Sequence, residues 1–450
     1  MRASSAKWNQ GLLLLTTAGP AGVSLISSFV ALKCLGTEAF GQWLAWRGLF
    51  LLLAIPTPGF SVAQQVLIAE ALAAGDGEHA DRVQRFCDVR SVAWVAAGSI
   101  AIFAVYAALG ATPLRALAMS ILFAGLYLAA YTTSTIIGRK DSNRTVRGAY
   151  ADVAGGLGTI VVALLGPLEL YVASVGMRYL LKAGFQYHPP GGTPSAPDST
   201  LGEQTREVGI PLMLRAFVRD ASQYGDKPIL SALFGNLIAG VAGVGSILAT
   251  FAVMFANTAT SYLLPVLIGT EEGEHGKLSR SALLKVVHAM VVFAAFIPSA
   301  VFVNAKVAVN LDVVGLTYFL IAGLSLLSPI VVPWTARGQI WRGTIWTGAL
   351  ILAVTAVLLG FGWSHLPVQL PLGISIILVS CAVGLILQDT HVLGGSKLTA
   401  IAMATAVGSV TVGYSLAMPL LPQPWAGALV PLLGVAYGLW AVRDKLLRRS

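Results

Sequence analysis

Uninterrupted apolar runs of roughly 20 residues recur from Gly11 to Trp440, and no other feature constrains the fold of this chain so strongly. Such a run matches the hydrocarbon thickness of a bilayer when it is helical. In that medium the backbone must satisfy its own hydrogen bonds, which α-helices do within a single segment. Only 11% of the residues are charged, against about 25% in soluble domains, so most of the chain has no water-facing surface to solvate. The sequence therefore predicts an all-α polytopic membrane protein of about fourteen transmembrane helices. The expected spans are 11–35, 43–67, 91–109, 113–137, 148–165, 168–181, 209–234, 238–268, 286–302, 313–335, 343–361, 367–387, 398–417 and 425–440. The first run is too long for a signal-peptide core and carries Gly19-Pro20 instead of a small-residue cleavage site, so it reads as a span.

The basic residues orient this map. Cytoplasmic loops are enriched in Lys and Arg. Of the 29 in the chain, Lys33, Arg115 and Lys306 fall in connections on one side, and Arg47, Arg215, Arg219 and Lys227 fall inside spans. All the others fall on the opposite side. A missed or invented helix would scramble this bias from that point on. Both termini and every long connection are expected to be cytoplasmic, in a bacterial inner membrane. The net charge of +9 follows mostly from this topology, so it calls for no nucleic-acid partner, and the juxtamembrane arginines suit anionic membrane lipids.

Connections on the outer side are only a few residues long, as at 36–42, 110–112, 235–237 and 362–366. Enzymes that polymerise or ligate lipid-linked glycans carry a large outer loop to hold an acceptor and a catalytic acid or base, and none is present. The longest inner connection, 183–207, contains Pro189-Pro190-Gly191-Gly192-Thr193-Pro194 and reads as a flexible linker. The expected organisation is a six-helix lobe over 1–184, a Pro/Gly-rich linker over 185–206, a second six-helix lobe over 207–389, and two further helices with a basic tail over 390–450. The absence of a Walker sequence points away from an ATP-driven pump. The cysteines, Cys34, Cys87 and Cys381, show no paired or metal-type spacing.

The halves share a weak repeat. Gly36 and Gly41, just past the first span, recur at one constant offset as Gly235 and Gly240, just past the seventh. Two such halves have the same orientation, and a substrate path between parallel repeats is a known transporter plan.

Charges inside the bilayer cost a few kcal/mol each and face a cavity or a partner. The seventh span concentrates them. At about 100° per residue, Arg215, Arg219, Ser222 and Asp226 form one narrow stripe, and Asp220, Gln223 and Lys227 a second. One reading is a helix that lines a water-filled cavity and presents Arg215 and Arg219 to an anion. The other is an Arg–Asp network that fixes packing, with Arg215 and Lys227 snorkelling to opposite faces. Arg219, roughly 15 Å from the inner end, is placed least well for snorkelling. Arg47 sits beside Trp43 and Trp46, either in the cavity or as an interfacial anchor. Asp226, Asp220, Lys227 and Asp152 are candidates for coupling or ion pairing, and Asp152 and His288 also suit interfacial positions. Pro20, Pro56, Pro58, Pro329 and Pro333 interrupt the first, second and tenth spans, and are candidate hinges or static kinks.

Leu35-Gly36-Thr37-Glu38-Ala39-Phe40-Gly41 resembles the LG-x-x-x-(F/Y)-G signature that follows the first span of polysaccharide flippases. Asp226-Lys227-Pro228-Ile229-Leu230 through Gly235 is similar to that family's D-x-x-x-(L/I)-x-x-x-x-G. The resemblance covers roughly 11–387. It implies a Wzx-type flippase of the multidrug/oligosaccharidyl-lipid/polysaccharide (MOP) exporter superfamily, with two six-helix lobes around a V-shaped cavity and alternating access. The implied cargo is a polyprenyl-diphosphate-linked oligosaccharide, carried to the outer leaflet for exopolysaccharide, capsule or O-antigen synthesis. By this resemblance Arg215, Arg219 and Arg47 would hold the diphosphate or anionic sugars, and polysaccharide polymerase and chain-length proteins are expected partners. The first span lacks the arginine of lipid II flippases, which argues against lipid II as cargo. A transporter of this kind makes and breaks no covalent bond, so no enzyme, metal or cofactor chemistry is expected. The alternatives are a cation-coupled drug exporter of the same fold, which a cavity rich in arginine opposes, and a non-transporting membrane scaffold.

Overall fold

The computed structural model describes residues 2–54, 59–191, 199–268, 272–336, 339–390 and 397–447. The described residues are almost entirely helical. In chain order the helices are α1 (Arg2–Leu35), α2 (Thr37–Ala54), α3 (Phe60–Ala73), α4 (Gly77–Ala108), α5 (Pro113–Arg139), α6 (Ser142–Leu165), α7 (Leu168–Gln186), α8 (Ser199–Tyr224) and α9 (Asp226–Ile268). They continue with α10 (Glu272–Ala294), α11 (Ala305–Val309), α12 (Leu311–Ile330), α13 (Val332–Ala336), α14 (Ile340–Trp363), α15 (Gln369–Asp389), α16 (Lys397–Ala417) and α17 (Trp425–Leu447). Among the described residues nine helical stretches are long and apolar enough to cross a membrane, and shorter apolar helices accompany them. This is a multi-pass membrane protein.

Contacts divide the chain into two compact units, one of 1–35 with 49–217 and one of Gly36–Gly48 with Val218–Ser450. The division falls inside α8, beyond the 185–206 segment, and the first part of α2 joins the second unit. In the first unit α5 is central, packed by α3, α4 and α7, while α1 lies on α6. In the second unit α12 is central, packed by α9, α10, α15 and α16. Its residues Val313, Val314, Leu316, Thr317 and Tyr318 are buried all round, as suits a helix that is apolar on every face.

Several spans differ from their sequence outlines. The second is built from two helices, α2 and α3, and Gly59 takes a left-handed conformation at the start of α3. The seventh starts ten residues earlier than the pattern suggested and breaks at Gly225, between α8 and α9. The tenth ends at Ile330, past Pro329 in its last turn, and α13 restarts with Pro333 at its second residue, where proline costs no hydrogen bond. The connection after α7 is not wholly flexible. His188 and Gly191 accept hydrogen bonds through their carbonyls from Gln84 and Arg85, and the Tyr187 hydroxyl donates to Asp88 Oδ2 at 3.3 Å.

The two repeated segments meet within the second unit. Gly36 and Gly235 both adopt left-handed φ values, 82° and 86°, which let the chain turn abruptly between helices. A Cβ on Gly41 would collide with the Asn236 carbonyl, and one on Gly240 with the Thr37 carbonyl. The contact is reciprocal, and only glycine allows this backbone approach.

Candidate functional site

The first half of α2 brings Arg47 into the second unit, where Gly48 and Gly243 leave room for close approach. A Cβ on Gly48 would lie 2.6 Å from the Tyr224 carbonyl, and one on Gly243 would collide with Leu44. The break at Gly225 places Asp226 and Lys227 in the first turn of α9, where the exposed amides of a helix start favour a carboxylate. Arg47, Tyr224, Lys227, Ser246, Thr250, Val253 and Ile321 line a cavity of about 110 Å³, comparable with three or four water volumes.

Lys227 is 4% exposed and donates to Asp226 Oδ1 at 2.7 Å. Asp226 Oδ2 is buried and accepts no hydrogen bond among the described residues. Arg47 is half-buried on the cavity wall. Arg47 and Lys227 thus bring two basic groups to the wall of a single cavity, and Asp226 brings one acid beside Lys227.

The geometry sorts the remaining candidates. Arg215 and Arg219 lie on α8, but their side chains fall outside the described residues, as do Pro56 and Pro58. Contacts assign the backbone of Arg215 to the first unit and that of Arg219 to the second. Asp220 is half-buried on α8. Arg215, Arg219 and Asp220 lie on α8 and Asp226 and Lys227 in the first turn of α9, with a one-residue turn at Gly225 between the two helices. Pro20 and Pro329 lie inside α1 and α12.

Asp152, a candidate for coupling, ion pairing or an interfacial position, is ion-paired in the structure. It is 4% exposed, and both carboxylate oxygens are engaged within the first unit. Arg178 Nε donates to Oδ1 at 2.5 Å, and Lys182 Nζ lies 3.1 Å from Oδ2. The same guanidinium donates to Ser24 Oγ at 2.8 Å and reaches the Pro20 carbonyl at 3.5 Å. Arg178, counted in sequence among the loop cations, is 5% exposed and ties α1, α6 and α7 together. The signal was present, because an acid inside a span implies a cationic partner, and Arg178 and Lys182 share a helical face four residues apart. His288 is likewise occupied, with its Nδ1 2.6 Å from the Tyr437 hydroxyl, joining α10 to α17. Among the described residues no three His, Cys, Asp or Glu side chains form a metal-type cluster.

No protein-family model matches the sequence, and no curated protein does. Solved structures do. The lipid II flippase MurJ in an inward closed conformation superposes with a TM-score of 0.65 at 13% identity, covering 96% of this chain and 99% of its own. An inward-facing multidrug resistance MATE family transporter of the MOP superfamily gives 0.53 at 15% identity, over 89% of this chain and 98% of its own. MATE in complex with MaD3S gives 0.54 at 16% identity, over 90% and 96%. The chain has a fold like that of MurJ and the MATE transporters, and at these identities the likeness extends to the fold alone.

Proposed function

We propose that this protein is a flippase that carries a polyprenyl-diphosphate-linked oligosaccharide from the inner to the outer leaflet of the bacterial inner membrane by alternating access. The glycan would serve exopolysaccharide, capsule or O-antigen synthesis, with the polymerase and chain-length proteins downstream. The observation that carries this reading is the convergence of Arg47 and Lys227 on one cavity at the start of α9. A diphosphate suits two cations at membrane depth, where charge-assisted hydrogen bonds are strong. A carrier of cationic drugs would need the opposite balance.

In this reading Asp226 is the coupling acid. Its carboxylate already holds Lys227. An arriving diphosphate would compete with that carboxylate for the ammonium. Arg219 and Arg215 would add cationic charge along the path, and the charge pattern would hold both termini in the cytoplasm.

The test is reconstitution in proteoliposomes with a polyprenyl-diphosphate oligosaccharide, scoring its appearance in the opposite leaflet. Arg47→Ala and Arg219→Ala should each slow translocation at least tenfold. Absence of transport by the wild type, or wild-type rates for both variants, would refute the reading.

A further inference from the structure

The cavity does not end at its cations. Ser246, Thr250 and Val253 of α9 line it, and Asn257 and Thr260 continue the same face. At about 100° per residue these five positions fall within about 80° of arc, and they run about 21 Å along the helix. Thr250 and Asn257 are exposed. Asn257 makes no hydrogen bond with any described residue, yet three turns of helix follow it before Ile268. An exposed amide in a spanning helix is costly against hydrocarbon and belongs on a wet surface. The opposite face of α9 is of another kind: Phe251 and Phe255 pack on Phe293, with ring centroids 4.8 and 6.2 Å apart.

The hydroxyls along this face are held but not exhausted. Ser246 donates to the Ala242 carbonyl at 3.2 Å, and Thr250 to the Ser246 carbonyl at 3.0 Å. Each hydroxyl oxygen keeps lone pairs for an incoming donor. Thr260 is paired with Ser328 of α12 at 3.0 Å, which closes the far end of the track. Asn257 offers both amide donors and its carbonyl. The face carries no charge, so its complement is a neutral group dense in hydroxyls, while the bare C–H surface of a sugar ring suits Val253.

We infer that this face of α9 is a glycan subsite, where Thr250 and Asn257 bond the hydroxyls of neutral sugars while Arg47 and Lys227 hold the diphosphate. The inference rests on the flippase reading and deepens it, because it makes the protein sensitive to the sugar as well as to the phosphates.

Native mass spectrometry of the purified full chain separates the two. The probes are bare undecaprenyl diphosphate and the same lipid carrying a neutral trisaccharide. Asn257→Leu should weaken binding of the glycosylated lipid about tenfold and leave the bare lipid unchanged, and Thr250→Val, on the cavity wall itself, should weaken the glycosylated lipid more than the bare one. Arg47→Gln should weaken both. If both α9 variants bind the glycosylated lipid at wild-type strength, or lose both lipids equally, the subsite is refuted while the flippase reading stands. Equal wild-type affinity for the two lipids refutes it as well. If the wild type binds neither lipid, the flippase reading itself falls and takes the subsite with it.

Discussion

Removing the Asp152 carboxylate should destabilise the first unit far more than removing either of its cations. With Asp152→Ala, Arg178 stays 5% exposed and loses the oxygen at 2.5 Å. Stranding one member of a buried pair costs about 3–5 kcal/mol. Here the expected loss is about 3 kcal/mol, because Ser24 Oγ and the Pro20 carbonyl still receive the guanidinium. Asp152→Asn retains an oxygen acceptor and should cost about 1–2 kcal/mol. Arg178→Met also costs about 1–2 kcal/mol, since Lys182 remains 3.1 Å from the carboxylate. The double variant Asp152→Ala/Arg178→Met strands no charge except Lys182, which is partly exposed and free to snorkel, and it should recover most of the loss. The assay is a double-mutant cycle on reversible unfolding in mixed detergent micelles, followed by tryptophan fluorescence. A coupling below about 0.5 kcal/mol, or a double variant no more stable than Asp152→Ala, would show that the pair is not the joint of α1, α6 and α7.

Three further outcomes follow from the packing. Gly41→Val and Gly240→Val force a side chain onto a facing carbonyl, so each should cost more than about 3 kcal/mol and abolish folded yield in size-exclusion chromatography. Gly36→Ala has open space around it and carries only the left-handed backbone cost of about 1–2 kcal/mol, so it should fold. Tyr437→Phe removes the hydroxyl bonded to His288 and should loosen α17 by about 1 kcal/mol, read as faster hydrogen exchange in α17 than in α12. Asp141, at the start of α6, loses some acidity to burial. The Arg144 backbone N–H, the His188 ring and the Arg144 charge outweigh that effect and hold its carboxyl below the usual range. With a depressed folded value, its contribution is complete above the unfolded value of about 4 and is lost as pH falls through the folded value. Asp141→Asn should therefore lower stability at pH 7 and flatten its decline under acid.

The fold was legible wherever one physical constraint dominated. Apolar runs of bilayer length located the helices, and paired glycines marked the repeat. What they left open was the exact place of the breaks within spans. Pro56 and Pro58 marked the second span for interruption without locating the left-handed Gly59, while 209–234 carries only a single glycine at 225, which interrupts no apolar pattern. Asp226 and Lys227 accordingly stand in the opening turn of α9 and not late in one continuous span.

The site was legible as composition and not as pairing. Sequence placed Arg47 and Lys227 inside spans, but it could not decide between a cavity and a snorkelling anchor, since that depends on α2 approaching α9 across Gly48 and Gly243. Asp152 shows the converse. A span boundary drawn at residue 181 left Arg178 close to the end of its helix, and a positive-inside count then absorbed it as one more loop cation. The Gly155–Gly156 step on α6 admits it: an added Cβ at 155 would lie 2.9 Å from Arg178 Cγ, and one at 156 would collide with Val23 Cγ1 and lie 3.3 Å from Arg178 Cζ, so the missing side chains let α1 and α7 close on α6 around the pair. Glycine in these helices therefore has two separate jobs. At 41 and 240 it brings backbones together, and at 155 and 156 it makes room for a charge. Only the second kind bears on the buried ion pair, and replacing those glycines should push α1 and α7 away from α6 and weaken the Arg178–Asp152 contact with them.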